Sequence, residues 1–324
     1  MTRHHRNRLG GAGVVDPARE AITDTATAAG LWPFCTPNPP ASEGTPLGVD
    51  PNSGRLVCYD PHTAFLTGQQ RAAQLAILAA NGTGKSALAK KFAIGLTARH
   101  ISVIVPFDAK NEYGPLVAAL GGASLRVDRT GGLHLLDPGQ AITTATQLGA
   151  PTSVVDEPKA RRTQLVATVT AISRGRTLAG WETTAIDTAL NHLPPTAALD
   201  DLARVFTNQT DLLAAAIGRP VDRAHVLLEP LTLDLAALAA GPIGRVLGHP
   251  AEPWPTDRAL VVDTSTVLMT EPALTAAVMV TAWTAALSVI HLANHTSHAG
   301  VPQQTADSGY TRTRKCWSQG WRVL

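Results

Sequence analysis

The run Ala79-Ala80-Asn81-Gly82-Thr83-Gly84-Lys85-Ser86 follows a pattern of Ala or Gly, four residues of any kind, then Gly-Lys and Ser or Thr. Each residue type has a chemical reason to be there. Gly82 and Gly84 carry no side chain, so consecutive main-chain amides can close around phosphate oxygens. A helix starting at this point aims its positive end at the anion. Lys85 reaches the β and γ phosphates, and the Ser86 hydroxyl ligates a metal ion. The expected ligands are ATP and Mg2+, bound by Ala79, Ala80, Asn81, Gly82, Thr83, Gly84, Lys85, Ser86 and Ala87, with Lys85 also catalytic. Ala79 stands where Gly is commoner, at a position that asks for no positive φ.

The flanks supply the setting. Gln74–Ala79 is a short apolar run, read as a buried strand, and Ser86–His100 carries helical spacing with Leu88, Phe92 and Leu96 on one stripe. Ile101–Phe107 reads as a second buried strand, and Tyr113–Leu120 as a second helix ending at Gly121-Gly122. Strand, turn, helix, strand, helix at this pitch makes a βαβ unit and a parallel sheet covered on both faces. The expected fold is therefore α/β, a P-loop NTPase (RecA-like) sheet.

Further along, strand signals vanish between about 151 and 240. Lys159–Ile172, Trp181–Leu193, Ala198–Phe206, Thr210–Ile217 and Arg223–Leu238 read as helices, punctuated by Pro194-Pro195, Gly218 and Pro220. An all-helical subdomain inserted into the α/β core is expected at 151–240, between core parts at 47–150 and 241–293. Residues 1–46 read as irregular, apart from a basic start at Met1–Arg8. Residues 294–324 read as a polar tail, aberrant or disordered. Strand character returns at Ala259–Asp263.

Composition limits the partners. The chain has 324 residues with 44% hydrophobic and 16% charged, enough for a sizeable core. A formal charge of +2 gives no bulk argument for nucleic acid. Cys35, Cys58 and Cys316 are scattered, without metal-ligand or disulfide spacing, which fits a reducing cytosol. No apolar run follows the basic start, so no secretory leader is expected. Ala273–Ala293 lacks Asp, Glu, Lys and Arg and is about a bilayer long. Its Ala and Thr content and His291 favour a buried core helix instead.

Ile101–Phe107 runs into Asp108-Ala109-Lys110-Asn111-Glu112-Tyr113. In a parallel sheet the ligand lies at the carboxyl ends of the strands, so Asp108 and Glu112 are candidate catalytic carboxylates there. The bland alternative is that Asp108 caps the next helix and Glu112 stabilises its first turn.

Segments 48–61, 77–92 and 103–122 together resemble the conjugation and type IV secretion ATPases of the TraC/VirB kind, in the HerA/FtsK branch of P-loop motors. The family's strand–Asp–x–Lys–Gly–Glu–Tyr signature corresponds to Asp108, Lys110, Glu112 and Tyr113, with Asn111 where Gly is usual. Leu133–Pro138 is similar to its Asn-Pro-Leu-Asp turn. The resemblance spans roughly 48 to 293. It implies an ATPase powering assembly of, or export through, a conjugation channel. It also implies a homo-oligomeric ring, channel membrane proteins as partners, and a cytoplasmic location against the inner face of the membrane.

A P-loop motor also needs a strand ending in an acid that holds Mg2+ through water. Asp263, after Ala259-Leu260-Val261-Val262, is the candidate metal residue beside Ser86. In the family's order the acid pair comes later, before a Trp. Here that place is Ser318-Gln319-Gly320-Trp321, without acids. Two expectations follow: a product truncated in the Walker B region, or an ATP binder that hydrolyses poorly, with Asp263 filling in. Two further readings stay open. One is a DNA translocase of the same superfamily, for which Arg161, Arg162, Arg174 and Arg176 offer little beyond a solvated helical face. The other is a non-hydrolysing remnant that associates with a complete motor.

Overall fold

The structure, a computed structural model, describes residues 43–51, 54–128, 131–267, 271–299 and 321–323. Of the irregular start expected at 1–46 and the polar tail expected at 294–324, residues 1–42, 300–320 and 324 lie outside the described residues.

Strands β1 (Pro46–Val49) and β2 (Leu56–Cys58) pair antiparallel. They lead into helix α1 (Pro61–Leu66), which Asp60 caps by accepting the Thr63 amide at 2.7 Å. Pro61 begins that helix, where its missing N–H costs nothing. Helix α2 (Lys85–Thr97) follows the Gly-rich loop. Then come β3 (Ser102–Asp108), α3 (Gly114–Ala119) and β4 (Ala123–Arg126). A 3₁₀ turn at Pro138–Gln140 opens the helical stretch. It comprises α4 (Ala141–Gln147), α5 (Thr152–Arg174), α6 (Gly180–His192), α7 (Leu199–Asn208), α8 (Thr210–Ala216), α9 (Val221–Ala240) and α10 (Pro242–Leu247). Strand β5 (Leu260–Asp263), helix α11 (Pro272–Ala299) and strand β6 (Trp321–Val323) complete the described chain.

The sheet is parallel throughout, in the order β4-β5-β3-β6. Alternation along its strands divides two cores. Val103 and Val105 of β3 and Val261 of β5 pack with Ala93 and Leu96 of α2 and Val117 of α3. Ile104, Leu260 and Val262 join the larger core with α11 and the helical stretch. Both faces are covered, as βαβ connectivity demands.

Helix α11 lies at the centre of that larger core. By length and composition it passes for a membrane span over Pro272–His295, with mean hydropathy 1.9. Half of that window is buried inside the protein, including Ala277, Val278, Thr281, Ala282, Ala285 and Ala286. Small residues let neighbours approach: a Cβ on Gly139 would stand 2.7 Å from Val289 Cγ2. Gly139 itself has φ +68, a left-handed conformation that interrupts the helical geometry of the Pro138–Gln140 turn and favours glycine. Helix α11 runs past 293 to Ala299, and Trp321–Val323 pairs with β3. Two parts of the stretch read from sequence as an aberrant tail are thus regular structure.

The expected strand at Gln74–Ala79 is not formed. Residues 74–80 have no regular structure, Leu75 is 44% exposed and Leu78 is 91% exposed. Periodicity marked the run as apolar, but a strand exists only where a neighbour pairs with it. Among the described residues none does.

Candidate functional site

Residues 79–84 are exposed, whereas Lys85 and Ser86 are half-buried at the start of α2 and Ala87 is exposed. Gly82 (φ +79) and Gly84 (φ +96) both take the left-handed conformation, and a Cβ on either would meet nothing within 4 Å. Steric room is therefore not what reserves these positions for glycine; backbone conformation is. Gly84 is the N-cap of α2 and offers no side-chain hydrogen bond to the helix start. The first-turn amides are thus left for an anion. Lys85 Nζ donates to the loop's own carbonyls, Ala79 O at 2.9 Å and Ala80 O at 2.7 Å, and Thr83 Oγ1 donates to Ala80 O at 2.7 Å. Charge-assisted bonds to phosphate oxygens are stronger than those to neutral carbonyls, so an arriving phosphate competes well for the ammonium. The residues fit a triphosphate tail.

The carboxylates gather at the ends of neighbouring strands. Asp108 pairs in register with Asp263, and both are 3% exposed. The Asp108 carboxylate accepts from the amides of Glu112 at 3.0 Å, Tyr113 at 2.7 Å and, more distantly, Lys110 at 3.4 Å. It therefore organises the turn that carries Glu112. Asn111 in that turn has φ +52, a conformation favoured by Gly and tolerated by Asn. That accounts physically for Asn standing where the resembled signature has Gly. Lys90 of α2 lies over the Tyr113 ring, 5.4 Å from its centroid, and so ties the loop's helix to the Asp108 turn. Burial raises the Tyr113 pKa, and the neighbouring Glu112 and Asp108 charges raise it further.

Asp263 accepts from the Ser265 amide at 3.0 Å and has Arg126 Nε 3.8 Å away. Among the described residues no group of three or more His, Cys, Asp and Glu is placed to hold a metal ion. A hydroxyl such as that of Ser86, one carboxylate and phosphate oxygens are the usual alternative for Mg2+.

Sequence reasoning missed the anchor behind the loop. Asp60 is fully buried and accepts from Thr45 N (2.9 Å), Thr63 N (2.7 Å), Thr63 Oγ1 (3.1 Å) and Arg99 Nη1 (2.7 Å). The signal was available in Asp60-Pro61, an N-cap followed by Pro in the first turn. Lys91 and Gly95 of α2 face the hairpin, Lys91 Nζ donating to Leu47 O and Gly95 abutting Thr45. Arg99, in the turn just past the helix end, reaches Asp60 and Thr63 at the start of α1.

The four arginines weighed as a solvated basic face are not one. Arg162 is 2% exposed. Arg174 is buried and bridges Glu182 (2.8 Å) and Asp234 (2.6 Å), while Arg176 joins Glu182 at 3.0 Å. Arg161 pairs with Glu157. Burial works against the charge of Glu182, but Arg176, the Ala179 amide and Arg174 outweigh it and hold its pKa low. These side chains knit helices together; helical periodicity alone could not say which face would meet a neighbour.

A parallel sheet covered on both faces, with a glycine-led loop opening a helix against it, is an α/β fold of the P-loop kind in which residues 74–80, ahead of the loop, form no strand. Among solved structures, VirB4 of Thermoanaerobacter pseudethanolicus shares it, with a TM-score of 0.50 over 87% of this chain and 76% of that one, at 18% identity. No family model and no curated protein matches the chain.

Proposed function

We propose that this chain binds ATP with Mg2+ at Ala79–Ala87 and hydrolyses it, as an ATPase of the kind that energises a conjugative or type IV secretion system. The observation that carries this reading is the uncapped, glycine-led start of α2 bearing Lys85, with Lys90 of the same helix over the turn that holds Glu112. The likeness of fold to VirB4 supports it.

The roles divide by what each side chain already does. Loop amides and Lys85 bind the phosphates. Ser86, with Asp263 through water, would hold Mg2+, which screens the phosphate charge. Glu112 orients the attacking water. Asp108 is a positioning residue, because its oxygens are taken by the amides of the Glu112 turn. Assembly as a ring, channel membrane proteins as partners and a location on the inner face of the membrane belong to the same proposal. Internal pairing of Arg161, Arg174 and Arg176 speaks against a DNA path on that face.

The test is steady-state phosphate release with Mg2+, beside binding of a fluorescent ATP analogue. Lys85→Ala is expected to lower both, with turnover falling by about 10²-fold or more. Glu112→Gln is expected to lower turnover and leave binding intact. Turnover that persists in Lys85→Ala overturns the assignment. Parent protein that binds the analogue without releasing phosphate supports the second reading, a non-hydrolysing subunit, which the engagement of Asp108 in its own turn favours.

A further inference from the structure

Away from the loop, a cavity of about 360 Å³ opens between α4, α5 and α6. Arg162, Lys159 and Asn191 line it, together with Ile142, Leu190 and Leu193. Arg162 is the unusual member. A guanidinium carries five N–H donors and stays charged, so burying it is costly unless acceptors surround it. Arg162 is 98% buried by its 2% exposure, yet its Nε has no hydrogen-bond partner. Its Nη2 reaches Asn191 Oδ1 only at 3.4 Å.

Two carboxylates lie near enough to sustain its charge, Asp137 and Asp187, but each is already committed. Asp137 caps α4, accepting the amides of Ile142 and Thr143, both at 2.9 Å. Asp187 accepts from Thr163 Oγ1 at 2.7 Å and Asn191 Nδ2 at 3.1 Å. The guanidinium is thus left with donors to spare in a cavity that also presents the Lys159 ammonium and apolar walls. The planar fork of Arg matches a carboxylate with two parallel bonds.

We propose that this cavity is a binding site for a small organic carboxylate with an apolar tail, its carboxylate on Arg162 and Lys159 and its tail against Ile142, Leu190 and Leu193. The size suits such a ligand, since small-molecule sites run from about 300 to 1,000 Å³. The site shares no residue with the loop at 79–87 and does not depend on ATP binding there.

The full chain is titrated with hexanoate, and with hexanol as an uncharged control of similar length, by calorimetry and by amide chemical shifts. Hexanoate is expected to bind and to shift amides of 142–147, 159–163 and 190–196, while hexanol binds at least about tenfold more weakly. Arg162→Gln is expected to weaken hexanoate by about tenfold or more. If that variant does not fold, Thr196→Trp, at an exposed position on the cavity rim, is expected to block hexanoate with the arginine in place. Lys85→Ala, which tests the ATP reading, is expected to leave hexanoate binding unchanged. Equal binding of hexanol and hexanoate, shifts elsewhere on the chain, or full binding in Arg162→Gln or Thr196→Trp overturns the proposal.

Discussion

Asp60 shows how much one buried side chain can hold. Its oxygens collect two backbone amides, a hydroxyl and the Arg99 guanidinium, and so join the residue leading into the hairpin, α1 and the turn after α2 at a single point. Removing the carboxylate strands those donors. Breaking a buried ion pair costs about 3–5 kcal/mol, and Arg99, 36% exposed at its side chain, recovers some water. Asp60→Ala is therefore expected to lose about 3 kcal/mol in urea unfolding. A loss under about 1 kcal/mol would show that the network is ornamental. His134 makes a second residue-scale case. It is 1% exposed, and its Nε2 donates to Ala197 O at 3.0 Å, while Nδ1 has no partner. Burial, as the largest cause, lowers its pKa to about 4. The folded state thus refuses a proton that the unfolded state takes near pH 6.5. The associated stability is fully present above pH 6.5 and is lost as pH falls toward about 4. The shift corresponds to about 3 kcal/mol. Unfolding curves at pH 7 and pH 4.5 are expected to lie closer together in His134→Gln than in the parent. Equal separation in both would assign the acid sensitivity to other groups.

At the scale of elements, α2 serves two neighbours. One face packs Ala93 and Leu96 on the sheet, and Lys91 and Gly95 meet the hairpin. Gly95 sits in the last turn of α2, where Gly costs up to about 1 kcal/mol against Ala. Here a Cβ would stand 2.2 Å from Thr45 Oγ1 and 2.7 Å from Thr45 Cβ. Thr45 is 1% exposed and its amide is bound to Asp60, so it cannot yield cheaply. Overpacking of about 1–3 kcal/mol should exceed the gain in propensity. Gly95→Ala is expected to destabilise by about 1–2 kcal/mol net and to speed tryptic cleavage at Arg55 in the hairpin. A variant as stable as the parent, which propensity alone would give, defeats this account. The same contrast explains what sequence could tell. Helices α5 to α9 and strands β3 and β5 were legible because their apolar periods are long or strongly β-branched. Gln74–Ala79 was misread because six apolar or neutral residues look alike whether or not a partner strand exists. Strand β4 and the hairpin strand β1 were missed because Ala123–Arg126 and Pro46–Val49 carry almost no pattern, and pairing partners make them strands. Lys85 and Glu112 were singled out by motif, and the structure sets Lys85 at the start of α2 and Glu112 in the turn after β3. The duty of Asp108 was not, because two acceptor oxygens serving a turn cannot be told from a catalytic acid without coordinates.

Across the whole molecule, packing is uneven in a way that bears on the proposed ATP site. The sheet between α2 and α11 is buried on both faces, and Ile104, Val261 and Val262 are at most fully enclosed, each at 0% exposure. The segment that feeds the phosphate loop is the opposite. Residues 74–80 lack regular structure, and Leu78 is 91% exposed. Local opening free energy follows buried contacts and paired backbone, so this segment should open at almost no cost while β3 opens only with the whole domain. A ligand gripping the loop amides and Lys85 adds bonds that exist only in the closed arrangement, and by linkage it stabilises that arrangement in proportion to ln(1 + [L]/Kd). Hydrogen exchange should therefore be fast at residues 74–84 in the free protein and slow there with ATP and Mg2+, with β3 and β5 unchanged in both. At ligand about 100 times Kd, the added protection amounts to about 2.7 kcal/mol, roughly a hundredfold in exchange rate. Strong protection of 74–80 before nucleotide is added would mean that a pairing partner already holds it. Protection that fails to appear with ATP in the parent, or appears equally in Lys85→Ala, would separate the loop from nucleotide binding altogether.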